Sequence, residues 1–479
     1  MNFRNVIFII GWVLNIEAVL MVPSMITGLI YQETETFALV WAAILCLVIG
    51  FPMSRIRRKE TYFRMREGYV TVALCWILMS VMGSLPFIFS GTLTNPVDAL
   101  FETVSGFTTT GSSVIVDVEA VSGCILFWRS FTHWIGGMGV LVFLLSLFRM
   151  TGGSHINLMK AESPGPAVGR LLPTVQSTAK ALYMIYFGMT VIQVILLLLG
   201  RMPLFDALTI TFGTAGTGGF GIKNDSLGSY STYHQVVVTV FMILFGVNFN
   251  VYFFLLGKKW KQALRCEELW WYLGIVAAAI LGIGLNIWSL YGDLGTSIQQ
   301  AAFQVGSIIT TTGYATADFN LWPEVSRTIL VLLMFVGACA GSTGGGMKIS
   351  RLVILLKTLK KEMHQYLHPN RVGKIKMDGK IVEHETIRSI NVFLVAYFLI
   401  FALSTLLLAF DGTDLITNFT AVAATFNNIG PGLEQVGPVS NFSLFSNISK
   451  LVLTFDMLAG RLEIFPLLLL FMKSTWKRF

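Results

Sequence analysis

The sequence predicts an all-α polytopic membrane protein with four helix–pore-loop–helix repeats around a central pore and two extra N-terminal transmembrane helices. Three observations carry this. First, 54% of the 479 residues are hydrophobic and only 13% are charged, about half the charged share usual in soluble domains. Second, ten apolar stretches lie at 6–30, 36–53, 69–91, 128–148, 181–200, 233–256, 270–291, 326–356, 389–410 and 447–472; a helix needs about 20 residues to cross a bilayer. Third, a Gly-centred loop recurs four times between those stretches.

The first stretch has no long basic region before it and no small-residue cleavage site, so residues 11–29 read as a retained span rather than a signal peptide. Charge then orients the chain. Of the 34 Lys and Arg residues, 27 fall in 55–66, 149–180, 258–265, 348–388 and 473–478, which is the positive-inside pattern. With the N-terminus inside near Arg4, the loop at 32–35, carrying Glu33 and Glu35, falls outside. Every even-numbered span then returns to a basic cluster, and both termini are expected in the cytosol. The net charge of +8 is therefore topological and not a nucleic-acid footprint. The five cysteines (46, 75, 124, 266 and 339) form no CxxC, and the six histidines have no ligand spacing; neither a disulfide framework nor a metal site is indicated.

The outside loops after the second span are long, and each holds a short amphipathic stretch followed by a Gly-centred run. Such stretches fit a helix that dips partway in and a backbone segment that returns. Irregular backbone at membrane depth is tolerated only where protein or a water-filled cavity satisfies its polar groups. Asp98-Ala99-Leu100 precedes Gly111 by ten intervening residues, and Asp206-Ala207-Leu208 precedes Gly219 by the same ten. Gly313 and Gly430 mark the third and fourth loops, with spacings of 108, 94 and 117 residues between successive glycines. The expected division is two N-terminal helices in 1–66, then repeats over 67–170, 171–265, 266–380 and 381–479. Their pore loops fall at 98–112, 205–220, 297–314 and 414–431.

The four runs are Thr108-Thr109-Thr110-Gly111, Gly216-Thr217-Gly218-Gly219, Thr310-Thr311-Thr312-Gly313 and Asn427-Asn428-Ile429-Gly430. A carbonyl-lined filter replaces an ion's hydration shell with backbone oxygens, and glycine supplies the unusual dihedrals this needs at no steric cost. The candidate filter residues are Thr109, Thr110, Gly111, Thr217, Gly218, Gly219, Thr311, Thr312, Gly313, Asn428, Ile429 and Gly430. One such run alone reads as an ordinary turn; four at matching positions read as a filter. No ring of acids accompanies them, which favours a monovalent cation held by carbonyl dipoles. The fourth run is the least Thr-rich, and its alignment rests mostly on Gly430.

Inside the eighth span lies Gly337-Ala338-Cys339-Ala340-Gly341-Ser342-Thr343-Gly344-Gly345-Gly346. Glycine destabilises a helix interior by up to about 1 kcal/mol relative to alanine, so 337–346 is expected to unwind below the filter. A Walker A loop is the competing reading, and Gly346-Met347-Lys348-Ile349 breaks its Gly-Lys-Ser/Thr order. A helix-packing face is the plainer alternative. Arg461 lies in the last apolar span near Asp456 and Glu463; a charge at that depth faces a pore or a partner, and a structural ion pair with either acid is the alternative. Lys348 begins a basic segment expected to face the cytosol, where 162–169, Pro173 and 366–380 also fit a docking surface.

The chain resembles the Trk/Ktr/HKT superfamily of potassium transporters, most closely the TrkH branch, over essentially its whole length. The resemblance is carried by Ser105-Gly106-Phe107-Thr108-Thr109-Thr110-Gly111, Trp134-Ile135-Gly136-Gly137-Met138-Gly139, the Gly-rich run at 337–346 and Gly460-Arg461-Leu462-Glu463-Ile464-Phe465. It implies potassium uptake at the cytoplasmic membrane, with potassium as substrate and no covalently bound cofactor. It also implies a homodimer with one pore per subunit, and a cytosolic TrkA-like nucleotide-binding regulatory subunit. In the family a filter Gly replaced by Ser admits sodium; all four positions here are Gly. The Gly-rich run looks like the family's intramembrane gate, with Lys348 and Arg461 beside it. Two other classes compete with this reading. A membrane-embedded transferase needs intramembrane His, acid or Cys clusters that the sequence lacks. An organic-solute transporter is expected to show inverted repeats, not same-sense ones.

Overall fold

A computed structural model describes residues 3–56, 65–139, 175–369 and 373–477. The described chain is helical apart from one short hairpin, β1 (Lys376–Met377) paired antiparallel with β2 (Lys380–Ile381). Among the described residues, six helices are long and apolar enough to cross a membrane, or seven if one sharply bent pair is counted. With nearly all-apolar lipid-facing surfaces, backbone polar groups must be satisfied within each segment, which selects helices.

Two N-terminal spans come first. The first is α1 (Phe3–Leu20) continued by α2 (Val22–Tyr31), and the second is α3 (Thr36–Ser54). They pack on each other through Gly11 and Gly50 and lean on α4 (Met65–Phe89).

Four units follow, each built from a long outer helix, a short helix and an inner helix. The first holds α4, α5 (Pro96–Phe107) and α6 (Gly123–Gly137). The second holds α7 (Val175–Leu199), α8 (Leu204–Gly216), α9 (Thr232–Phe245) and α10 (Phe249–Leu256). After α11 (Trp260–Leu264), the third holds α12 (Glu267–Asn286), the single turn α13 (Trp288–Tyr291), α14 (Leu294–Ile309), α15 (Glu324–Val336) and α16 (Ile349–Leu367). The fourth holds α17 (His384–Leu408), α18 (Leu415–Phe426), α19 (Asn447–Arg461) and α20 (Phe465–Phe471), before a last turn, α21 (Lys473–Trp476).

The units are arranged cyclically. Inner helix α6 packs on short helix α8 of the next unit, α9 on α14, α15 on α18, and α19 closes the circle on α5. Sequence order is thus the order around one axis.

Three of the expected spans are not continuous helices. Instead of one helix over 233–256, α9 and α10 meet at an angle of 91°. Asn248 accepts from Asn250 N at 3.0 Å and so starts a new helix, while the free carbonyl of Gly246 takes the N–H of the distant Cys339 at 3.1 Å. Over 447–472, α19 stops at Arg461, and Glu463 and Ile464 follow with φ of 53° and 69°. The eighth stretch is helical only up to Val336 and again from Ile349. The expected span at 128–148 begins as α6; its second half, like 162–169 and Pro173, lies outside the described residues.

Candidate functional site

Three of the four short helices start with matched side-chain caps; the second starts after Pro203 without one. Asn95 accepts from Val97 N at 3.0 Å, Asp293 from Thr296 N at 2.7 Å and Asp414 from Thr417 N at 2.9 Å. With 12, 13, 16 and 12 residues they are too short to cross the membrane, because about 1.5 Å per residue falls short of a roughly 30 Å core.

All four end in the same backbone device. Thr109 N reaches Gly106 O, Thr217 N reaches Thr214 O, Thr311 N reaches Ile308 O and Asn428 N reaches Thr425 O, each at 3.1 Å. The next N–H in each loop reaches back further: Thr110 to Ser105, Gly218 to Gly213, Thr312 to Ser307 and Ile429 to Ala424, at 2.8–2.9 Å. This pair of bonds is the Schellman ending, which needs a left-handed residue at its first position. Thr109, Thr217, Thr311 and Asn428 have φ of 57°, 55°, 58° and 56°. Two residues on, Gly111, Gly219, Gly313 and Gly430 again have positive φ, at 85°, 74°, 84° and 108°. Three β-branched threonines in this conformation are uncommon and strained, and asparagine tolerates it better than most. The fourth run therefore departs from threonine at the position where the backbone accepts that change most easily.

The loops also close on one another. A β-carbon on Gly111 would run into the carbonyl oxygen of Gly218. One on Gly219 would meet Thr312 O, one on Gly313 would meet Ile429 O, and one on Gly430 would sit 2.9 Å from Thr110 O. Each loop's glycine thus faces the carbonyl that precedes the next loop's glycine, and the fourth faces the first. Eight of the twelve sequence-predicted loop residues are thus neighbours in one closed circuit.

Buried polar contacts hold this ring. Thr108 and Thr110 share a hydroxyl bond of 2.8 Å, as do Thr310 and Thr312. Asn428 Nδ2 donates to Thr110 Oγ1 and to Met457 O, both at 2.9 Å. Tyr314 donates from its hydroxyl to Ile210 O at 3.1 Å, joining the third loop to the second short helix. His133 on α6 lies between two loops, 2.7 Å from Gly106 O at Nδ1 and accepting from Phe220 N at Nε2. Behind them Arg129 pairs with Glu102 at 2.6 Å, both fully buried. Glu102 also accepts from Val114 N, and Arg129 donates to Gly221 O. Sequence reasoning missed His133, Glu102 and Arg129. The available signal was two opposite charges within otherwise apolar stretches, but their pairing is a tertiary fact.

Residues 337–348 lie directly against the ring. Gly345 N donates to Thr311 Oγ1 at 2.6 Å. A β-carbon on Gly344 would come within 2.9 Å of Thr310 O, and one on Gly345 within 2.5 Å of Asn427 O. The run is stitched to the break between α9 and α10: Phe249 N donates to Gly341 O and Thr343 Oγ1 to Phe245 O. Gly337, Gly341 and Gly346 take positive φ. Cys339 and Ala338 are buried, and Ala340 and Ser342 flank the exposed Gly341. Lys348 is buried, with Nζ on Gly344 O.

Arg461 reaches the run from the fourth unit. Its guanidinium donates to Thr343 O at 3.0 Å and to Gly136 O and Gly137 O at the end of α6. The nearby acids are engaged elsewhere, Glu463 with Arg351 and Asp456 with Ser404. Arg461 thus meets backbone carbonyls of the run and of α6. Glu268, also missed, accepts from Ala340 N at 2.7 Å and Ser350 N at 3.0 Å. In the sequence it reads only as a first-turn acid beside Glu267. No His, Cys, Asp and Glu cluster able to hold a metal ion occurs among the described residues.

Four same-sense units converging on a ring of re-entrant loops define a pore-loop membrane transport protein. The chain belongs to the TrkH family of cation transport proteins, which matches residues 35–272 and 286–478. It is 34% identical to the Trk system potassium uptake protein TrkH of Salmonella typhimurium and to that of Escherichia coli K12, each over 100% of both chains. It is 32% identical to the Trk system potassium uptake protein TrkG of Escherichia coli K12, over 99% of both. The crystal structure of the potassium transporter TrkH from Vibrio parahaemolyticus superposes with a TM-score of 0.90 at 33% identity, covering 100% of each chain. These relatives are named as transporters, not enzymes.

Proposed function

We propose that the protein takes up potassium across the cytoplasmic membrane through a filter made by its four loops. The supporting observation is the closed circuit in which each loop glycine faces the carbonyl of the next loop. Backbone oxygens so arranged replace a hydration shell. The four short helices end at the ring, and their carbonyl ends add negative potential there. The uptake names of the full-length relatives point to potassium as the substrate.

In this reading Thr109 to Gly111, Thr217 to Gly219, Thr311 to Gly313 and Asn428 to Gly430 bind the ion. Residues 337–346 with Lys348 form the gate, held shut by Arg461. The division into 1–66, 67–170, 171–265, 266–380 and 381–479 follows, with both termini in the cytosol. The homodimer and the cytosolic TrkA-like nucleotide-binding subunit rest on the family resemblance.

The test is growth of a potassium-uptake-deficient bacterium at low potassium, together with rubidium flux into liposomes holding the purified protein. Rescue and rubidium entry are expected. Folded, membrane-inserted protein that gives neither would overturn the reading.

A further inference from the structure

The run at 337–348 is held by more than Arg461. Glu268 sits in the first turn of α12 and is 4% exposed. Its Oε1 accepts from Ala340 N, inside the run, and from Ser350 N, in the first turn of α16 just beyond it. Its Oε2 faces Asn248 Nδ2 at 3.4 Å, at the break between α9 and α10. One carboxylate therefore touches the run, the helix that leaves it and the neighbouring unit's bend. An anion at the N-terminal N–H groups of α16 is favoured by the helix dipole, and bonds to a charged acceptor are roughly twice as strong as neutral ones.

The preceding residue faces the other way. Glu267 N donates to Asp378 Oδ1 at 2.7 Å, at the tip of the β1–β2 hairpin. Its carboxylate pairs with Lys357 Nζ at 2.6 Å, and that ammonium also donates to Lys376 O. Consecutive residues thus connect a surface hairpin to the Gly-rich run.

We propose that Glu268 is a positioning residue that latches the Gly-rich run across the pathway, with Glu267 tying the latch to the hairpin. The proposal rests on the reading of 337–346 as the gate. Releasing the latch removes two bonds at once, at Ala340 and Ser350, on opposite sides of residues 341–349.

The experiment compares wild type, Glu268→Ala, Glu268→Gln and a deletion of 339–345, alone and combined with Glu268→Ala. Rubidium flux is measured in liposomes. Where the loop is intact, labelling of the buried Cys339 by a maleimide is followed by site-resolved mass spectrometry. Glu268→Ala is expected to raise flux about tenfold, the factor that about 1.4 kcal/mol of lost latching gives, and to speed Cys339 labelling. Glu268→Gln is expected to do both less, because it retains an acceptor. On the deletion, Glu268→Ala is expected to add nothing. Folded Glu268 variants with wild-type flux and wild-type labelling, beside a deletion that raises flux, would overturn the latch alone. A deletion that leaves flux unchanged overturns the gate reading, and the latch with it. Glu268→Gln carries the test if Glu268→Ala does not fold.

Discussion

Gly111 lies against the carbonyl of Gly218 with no room for a β-carbon between them, although the two residues belong to different units. Gly219 and Gly313 stand in the same relation to Thr312 and Ile429, whereas a β-carbon on Gly430 would sit 2.9 Å from Thr110 O. Alanine at any of the four also meets a positive φ, which costs about 1–3 kcal/mol for a non-glycine residue. Gly111→Ala, Gly219→Ala and Gly313→Ala are therefore expected to cut rubidium flux more than tenfold and abolish growth at low potassium. Gly430→Ala is expected to lose only a few-fold. Equal losses at all four positions would contradict the graded fit.

Arg461 joins Thr343 O to Gly136 O and Gly137 O, so it bridges the Gly-rich run and the end of α6 across the molecule. Hydrogen bonds from charged donors contribute about 1.5–3 kcal/mol each. Arg461→Gln retains a shorter donor and removes the fork. It is expected to raise rubidium flux on the order of tenfold, the equivalent of about 1.4 kcal/mol. Flux at or below the wild-type level in folded protein would show that the contact does not hold the pathway shut.

Much of this arrangement was legible in the sequence, and the reasons differ by element. Gly111, Gly219, Gly313 and Gly430 could be aligned because each backbone needs a residue without a β-carbon at the same step, and that need is written in residue type. The unwinding expected over 337–346 followed from glycine density, and helix is absent over 337–348. The bend at Gly246–Asn248 was not legible, because the residues around it are apolar enough for one continuous span. The bend exists through contacts with Cys339 and Gly341, almost a hundred residues away. Glu268 and the Glu102–Arg129 pair were missed for the same reason: which N–H or guanidinium a carboxylate meets is set by tertiary packing. Arg461 was found by its depth, but the backbone carbonyls it meets are announced by no residue type.

The Glu102–Arg129 pair is buried behind the first two loops, with Arg129 also 3.6 Å over the Phe220 ring. Removing one member of such a pair leaves an uncompensated charge and costs about 3–5 kcal/mol, whereas replacing both with apolar groups is often nearly neutral. Glu102→Leu alone is expected to lower the thermal midpoint of the detergent-solubilised protein by several degrees. Glu102→Leu with Arg129→Leu should recover part of that loss. Rubidium flux is expected to stay low in both, because Val114 N and Gly221 O lose their partners either way. Additive destabilisation in the double variant would rule out a coupled pair.

Asn428 and Thr217 hold the same left-handed position in their loops, at φ of 56° and 55°, but their side chains do different things. Thr217 Oγ1 turns back to its neighbour Gly216 O at 2.6 Å. Asn428 Nδ2 reaches across to Thr110 Oγ1 and Met457 O, so it closes the ring between the fourth and first loops. Glycine fits this backbone without strain at either site. Thr217→Gly is therefore expected to keep potassium-over-sodium discrimination within about twofold, because only a local bond is lost and a residue uncommon in that conformation is replaced. Asn428→Gly removes two buried bonds, about 1 kcal/mol each, and is expected to weaken discrimination about tenfold. Competition of sodium against rubidium flux in liposomes measures both. Matching losses at the two sites would mean that the asparagine serves the backbone conformation alone.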